Sequence, residues 1–523
     1  MGFPQILPAV LMVAQMTEGE LTIAKVHAQM RAGRLTCTAL VQGYLERIRM
    51  YDKQGSAINA IVVVNPEVLR EAKALDGVPL AQRKPLHCVP LIVKDNIETA
   101  GLQTANGSLS LAGYVPEKDA FQVRQLKAAG ALVLAKSNMA EWAFSPYETV
   151  SSILPGYTRN PYDTARVSAG SSGGTAAAIA ANFGLVGLGS DTGNSIRGPS
   201  AHQALVGIRS TMGLTSRAGV FPLSDVADIA GPMARTVEDA ARIFQFVVGF
   251  DAEDGVTAAA KDHPVPDYSQ SLKADGLKGA RIGILRQAYE RDTTDAEVVR
   301  VFERAVQDLR RAGAVIVDPA KVEGLDALQR PRGSCMAFHY AINRFLGERA
   351  GKVPMKDLDA IVKSGKVHPS VLRQLENAAK GPANGPETEA CVADREYRQK
   401  VRDAVTATMD RLKLDAFVYP TWSNPPRLIG DLNTPHGDNS QFFSPVTGFP
   451  AMTVPMGYTR GGTLPAGMTF FGRAWAEATL IRLGYAYEQA TRHRRPPELI
   501  AAPAAPRQAI ARSEPRPELR QSR

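Results

Sequence analysis

The sequence predicts an α/β fold on a mixed or parallel central β-sheet flanked by helices, and three observations carry that reading. First, a helix–glycine–strand unit occurs twice: DAFQVRQLKAAG then ALVLAKSN (119–138), and DAEVVRVFERAVQDLRRAG then AVIVDP (295–319). Second, other short runs rich in β-branched or aromatic residues read as strands: NAIVVVNPE (59–67), RIGILR (281–286) and DAFVYPT (415–421). Third, 523 residues with 44% hydrophobic and 22% charged content supply a sizeable core. Helices alternating with short apolar strands are the mark of the α/β class.

Taken in order, residues 1–17 form an apolar extension. The run MGFPQILPAVLMVAQM has no basic residue before it and no small-x-small cleavage site, both of which a signal peptide needs. It reads as a strap on the surface or a clipped remnant of a leader. No stretch reaches the ~20 apolar residues of a membrane span. The expectation is a soluble cytoplasmic protein, with export to the periplasm left open. Helical periodicity starts near Glu18, and LTIAKVHAQMRAGRLTCTALVQGYLERIRMYD predicts two helices broken at Gly33, with Thr36 capping the second. In the 295–319 unit, Val298, Phe302, Ala305 and Leu309 share one helical face. Gly130 and Gly313 stand where a helix-terminating glycine is expected. Residues 320–412 are polar and helical in pattern and read as a decoration of the sheet near the substrate. Residues 496–523, rich in Pro, Ala and Arg, read as a disordered tail.

The net charge is +9, yet Lys and Arg are dispersed rather than striped with aromatics, so no nucleic-acid partner is expected. Cys37, Cys88, Cys335 and Cys391 form no CxxC or metal-knuckle spacing. They are expected to be free buried thiols, with a disulfide open only to an exported protein.

Two glycine–serine clusters can carry chemistry. The first, VSAGSSGGTAAAIAANF (167–183), lacks the lysine of a phosphate loop and the spacing of a dinucleotide fingerprint. It does match GxSxG with Ser172 at the centre, the pattern of a nucleophile elbow, and His202, His263, His339, His368, His436 and His493 follow it. A helix start packed closely through glycines reads equally well. The second cluster, GSDTGNSIRGPS (189–200), follows the strand-like LVGLGS (185–190). A helix starting near Ser195 would leave backbone N–H groups free beside a hydroxyl, the pattern of an oxyanion hole next to its nucleophile. A serine also needs a base. In VPLIVKDNIETAG (89–101), Lys94 ends an apolar run. Burial there would lower its pKa, although a lysine at a strand end is ordinarily solvated or ion-paired.

Together with TANGSLSLAGY, KSNMAEW, TRNPYD, VGIRSTMGLTSRAGVFP, DIAGPMARTVEDAA, SPVTGFPAMTVPMGYT and YEQATRHRRPP, these segments make the chain from Glu18 to Pro497 resemble the amidase signature family. The resemblance implies one large α/β domain over 18–495 and an amide hydrolase that uses no cofactor and no metal. It implies a Ser-Ser-Lys triad. Lys94 matches the family lysine, Ser171 the bridging serine held in a cis peptide, and Ser195 the nucleophile. The backbone N–H groups of Thr192, Gly193, Asn194 and Ser195 match its oxyanion hole. Ser172 becomes a supporting residue, and Asp191 and Arg197 a structural pair or cap network. The sequence departs from the commoner pattern at Asn194, where many members have a second glycine; a backbone donor survives the change. For the substrate pocket, Trp142, Phe144, Tyr147, the Gly156–Tyr157 loop and parts of 335–345 are the candidates, with core packing as the competing reading. Amides, carbamates or esters are the expected small-molecule substrates, and a homodimer is an open expectation. The alternatives are the glutaminase subunit of a tRNA-dependent amidotransferase and a catalytically silent binding scaffold.

Overall fold

The computed structural model describes residues 20–328, 335, 337–382 and 384–501. The expected 1–17 extension and most of the expected tail lie outside these. The first two helices form as their caps dictate. Thr22 Oγ1 accepts from Lys25 N at 3.2 Å to open Ile23–Arg31, and Thr36 Oγ1 accepts from Ala39 N at 3.1 Å to open Cys37–Tyr51. Gly33, between them, has φ 68°. The two helix–glycine–strand units are present as Phe121–Ala128 with Leu132–Ser137 and Ala296–Arg311 with Val315–Val317. In the second, Asp295 caps the helix through Glu297 and Val298, and Val298, Phe302, Ala305 and Leu309 are buried together. Gly130 and Gly313 turn the chain at φ 101° and 95°.

Eleven strands make one mixed sheet. In spatial order they are Ile61–Val64, Leu132–Ser137, Pro90–Lys94, Val186–Asp191, Ile229–Ala234, Val206–Arg209, Ala451–Thr459, Leu464–Phe471, Ala416–Pro420, Arg281–Ile284 and Val315–Val317. Pro90–Lys94 pairs in parallel with both Leu132–Ser137 and Val186–Asp191. It is buried along its whole length, as its continuous apolar run requires. The alanine-rich helix Gly173–Ala180 is buried all round and packs on these strands. Small residues permit the approach: a Cβ on Gly187 would strike Thr175 and Ile179 of that helix.

The 320–412 region is helical, with Phe338–Gly347, Leu358–Ser364, Pro369–Ala379 and Glu389–Leu412. The first three build a second apolar cluster with Trp142, Tyr114 and Phe221. An ion pair fastens it to the loop after the Lys94 strand: Arg349 Nε meets Glu98 Oε1 at 2.5 Å and Nη2 meets Oε2 at 2.8 Å. At the far end, Arg494 donates to both carboxylate oxygens of Glu20 and to the carbonyl of Ala204.

One expectation is corrected. No cysteine is free: Cys37 pairs with Cys88 and Cys335 with Cys391. Sequence separations of 51 and 56 conceal Cα separations of 5.7 and 4.4 Å, because the partners meet only after the helices and strands pack. Among the described residues no helix is long and apolar enough to cross a membrane. Denatured, unreduced protein is expected to show no thiol reactive to Ellman's reagent. Replacing Cys37 and Cys88 by alanine should lower stability by about 2–4 kcal/mol in urea titration, as loss of a cross-link over such a loop does.

Candidate active site

Sheet register brings distant residues together. The parallel pairing of Val93 with Leu188 places Lys94 beside the end of the Val186–Asp191 strand. There Lys94 Nζ lies 2.7 Å from Ser171 Oγ and 2.8 Å from Ser190 Oγ, with Ser190 O at 3.5 Å. The lysine is wholly buried, and the Gly170–Ser171 peptide is cis. Burial pulls the Lys94 pKa down to about 7; Asp191 and Asp228 oppose that shift without cancelling it. A lysine whose charged form is disfavoured by burial, set against a serine hydroxyl, has the makings of a base.

Ser172 lies at the N-cap of the alanine-rich helix. Its Oγ donates to Ser190 O at 3.1 Å and accepts from Ser190 N at 3.3 Å, and its N–H donates to Ser195 O at 3.2 Å. It ties the strand to the turn that follows. Among the described residues no histidine hydrogen-bonds to it, so the elbow reading of GxSxG lacks its base. His202 stacks on Trp422 and bonds Asn424 O; His436 stacks on Tyr147.

After Asp191 the chain turns through Thr192, Gly193, Asn194 and Ser195. Among the described residues their four N–H groups donate to no protein acceptor, whereas the next two, of Ile196 and Arg197, both donate to Asp191 Oδ2. The free donors sit beside Ser195, which is 4% exposed and whose hydroxyl makes no hydrogen bond to a described protein group. Asn194 keeps a negative φ, so the departure from glycine requires no left-handed backbone here. A Cβ at Gly193, in contrast, would meet the side-chain amide of Gln441, which would have to move aside.

Asp191 fixes this turn. Arg197 Nε reaches Oδ2 and Arg209 Nη1 reaches Oδ1, each at 3.1 Å, with all three side chains fully buried. Arg197 also donates to Gly193 O at 2.7 Å and Ser440 O at 3.2 Å, and Arg209 donates to the Asp191 carbonyl and to Ala227 O. Burial alone would raise the Asp191 carboxyl, but the two guanidinium groups hold it down at about 2. Arg209, drawn down by burial to about 10, is still charged at neutral pH. On the other side of the turn Thr192 Oγ1 donates to Asp228 Oδ1 at 2.6 Å.

Of the expected pocket residues, Trp142 is 1% exposed and packed edge-on against Phe338, which makes it core. Phe144, Tyr147 and Tyr157 are half-buried, and Gly156 is exposed. Tyr147 packs against a small cluster of Ala169, Ala201 and Trp422. Its ring stacks on His436 at 3.9 Å, and Trp422 Nε1 donates to Gly198 O at 3.0 Å. The segment 421–441, which supplies Trp422, His436, Ser440 and Gln441, lies outside the expected wall residues. Ser190, Asn96, Arg209 and Asp228 also lie outside the expected site residues, although each falls within or beside a quoted motif.

The family model described as Amidase matches residues 39–481. A probable amidase of Arabidopsis thaliana is 31% identical over 92% of this chain and 92% of its own length. A glutamyl-tRNA(Gln) amidotransferase subunit from Moorella thermoacetica is 35% identical over 83% of this chain and 90% of its own. The crystal structure of a peptide amidase from Stenotrophomonas maltophilia superposes with a TM-score of 0.81 at 36% identity, covering 92% of this chain and 99% of that one.

Asp191→Asn should leave two buried guanidinium groups without their anion and destabilise the protein by about 3–5 kcal/mol in chemical denaturation. Because the folded pKa lies below the unfolded value of about 3.9, the wild-type contribution is complete above that value. It is lost as pH falls from about 4 toward 2, and unfolding midpoints of wild type and Asp191→Asn should converge over that window.

Proposed function

Since the chain belongs to the amidase signature family of amide-hydrolysing enzymes, we propose that it cleaves a carboxylic amide C–N bond through Lys94, Ser171 and Ser195. The observation that carries this is the buried Lys94 Nζ at 2.7 Å from Ser171 Oγ, next to a turn with four free N–H donors. Neutral Lys94 accepts the Ser171 proton as Ser171 accepts that of Ser195, whose hydroxyl rotates toward it once substrate is bound. Ser195 Oγ forms a bond to the substrate carbon. The carbonyl π pair moves to oxygen, where the N–H groups of Thr192, Gly193, Asn194 and Ser195 stabilise it. The C–N bond then breaks, and the leaving nitrogen takes a proton back through the relay. Water, deprotonated by the same relay, attacks the acyl-enzyme and releases the acid with Ser195 restored. Passing the proton through a neutral hydroxyl keeps a second charge out of the buried site.

The substrate class is an amide with a hydrophobic or aryl acyl group against Phe144, Tyr147 and Tyr157, the half-buried aromatics, with Gly156 at the rim. The peptide amidase likeness adds peptidyl amides, and esters and carbamates share the carbonyl chemistry. The likeness to an amidotransferase component keeps a glutaminase as the second reading. The two disulfides count against it and support an oxidising compartment over the cytoplasm. The Lys94–Ser171 contact counts against a silent scaffold.

Ser195→Ala and Lys94→Ala should lower covalent labelling by a fluorophosphonate probe at least ~1,000-fold, whereas Ser172→Ala keeps a labelled serine. Full labelling of Ser195→Ala would sink the assignment. Because the base must be neutral, the labelling rate should rise as pH climbs through about 7. Turnover of aryl, primary and peptidyl amides, carbamates and glutamine, compared side by side, identifies the acyl preference; turnover of glutamine alone would favour the second reading.

A further inference from the structure

Lys94 Nζ has two hydroxyl neighbours, and only one belongs to the proposed relay. Ser190 Oγ, at 2.8 Å, is as close as Ser171 Oγ, at 2.7 Å. Ser190 is held on all sides. Its N–H and C=O both bond Ser172 Oγ, at 3.3 and 3.1 Å, and its Oγ accepts from Asn96 Nδ2 at 2.9 Å. Asn96 is 2% exposed and Ser190 6% exposed, so water does not compete freely for these groups. An amide nitrogen can only donate, so one Ser190 Oγ lone pair belongs to Asn96 and the other is open to a Lys94 N–H. The Ser190 carbonyl, 3.5 Å away, is a second acceptor on the same side. A neutral amine has two N–H bonds and one lone pair. With both N–H bonds directed at Ser190, the lone pair is left facing Ser171.

Resting on the Lys94–Ser171–Ser195 reading, we propose that Ser190, fixed by Asn96, is a positioning residue that aims the Lys94 lone pair at Ser171. Its hydroxyl has a second effect with a definite sign. As an acceptor it stabilises the ammonium form, so losing it favours the neutral amine. The charged groups that face Lys94 are the carboxylates of Asp191 and Asp228, and neither is disturbed by the substitution. Asp191 is held by Arg197 and Arg209, and Asp228 by Thr192, Leu223 and Ser224. Removing the Ser190 hydroxyl therefore produces two changes that a packing defect does not produce together. The plateau rate falls because the lone pair is no longer aimed, and the acid limb moves to lower pH.

The test is the rate of fluorophosphonate labelling between pH 5 and 9 for wild type, Ser190→Ala, Ser190→Thr and Asn96→Ala. Ser190→Ala should lower the plateau by ~10-fold or more and shift the midpoint of the acid limb down by about half a unit or more. Ser190→Thr, which keeps the hydroxyl, should restore both. Asn96→Ala should shift in the same direction by less, because Ser190 is then free to turn its own hydrogen onto the Lys94 lone pair; it also serves if Ser190→Ala does not fold. An unmoved midpoint in folded Ser190→Ala, or in Asn96→Ala where Ser190→Ala does not fold, overturns the proposal whatever the plateau does. Wild-type labelling of Lys94→Ala is a different outcome: it removes the base itself, and with it the reading on which this one rests.

Discussion

A single buried carboxylate organises the centre of this protein. Asp191 ends one strand, and the turn that leads to Ser195 folds back onto it. Two guanidinium groups, two backbone N–H groups and the intervening turn converge on its two oxygens. Arg209 comes from a strand two places along the sheet, and Arg197 reaches on to Ser440 in the far half of the chain. One charge thus ties the turn to a strand end 18 residues on and, through Arg197, to the segment at Ser440. Because Asp191 captures the N–H groups of Ile196 and Arg197, it also decides which donors remain free: the four before them.

The opposite logic governs Lys94. Two arginines surround one aspartate, whereas the lysine has hydroxyl and carbonyl neighbours and no carboxylate in contact. Desolvation therefore wins over ion pairing there and loses at Asp191, and the site contains a firmly charged centre beside a readily neutralised one. Environment thus separates the pKa values of two groups within one buried cluster, which is the separation the proposed proton relay through Lys94 requires.

Much of this is legible from residue order. The helix–glycine–strand units announce themselves through periodicity and a terminating glycine, and the run PLIVK is apolar enough to be a central strand on its own. Other strands are hidden for physical reasons. Ile229–Ala234 contains Pro232 in mid-sheet, opposite Leu188, where a proline argues against a strand. Ala451–Thr459 contains Pro455 at a register shift beside Gly457, and so pairs despite its composition. Such segments are strands because neighbours on both sides make them so. At the site, the GxSxG match draws attention to Ser172, whose hydroxyl is spent on backbone. Ser190 carries no local signal, since its closeness to Lys94 and to Asn96 is created by parallel strand register across 96 and 94 residues. The cysteine pairs are concealed in the same way. Trp142 looks available to a substrate because an aromatic in a loop gives no hint that a distant helix bearing Phe338 covers it.

The Glu20–Arg494 pair joins residues 474 apart. A contact of that span encloses almost the whole described chain, so the chain entropy lost in closing it is larger than for any local pair, and it grows only slowly beyond this length. Its arginine also needs the carbonyl of Ala204, which exists in place only when the central strands have assembled. Glu20 and Arg494 therefore act as a latch and not as a nucleus: the contact closes on a body already built and is the natural point from which the two ends would come undone.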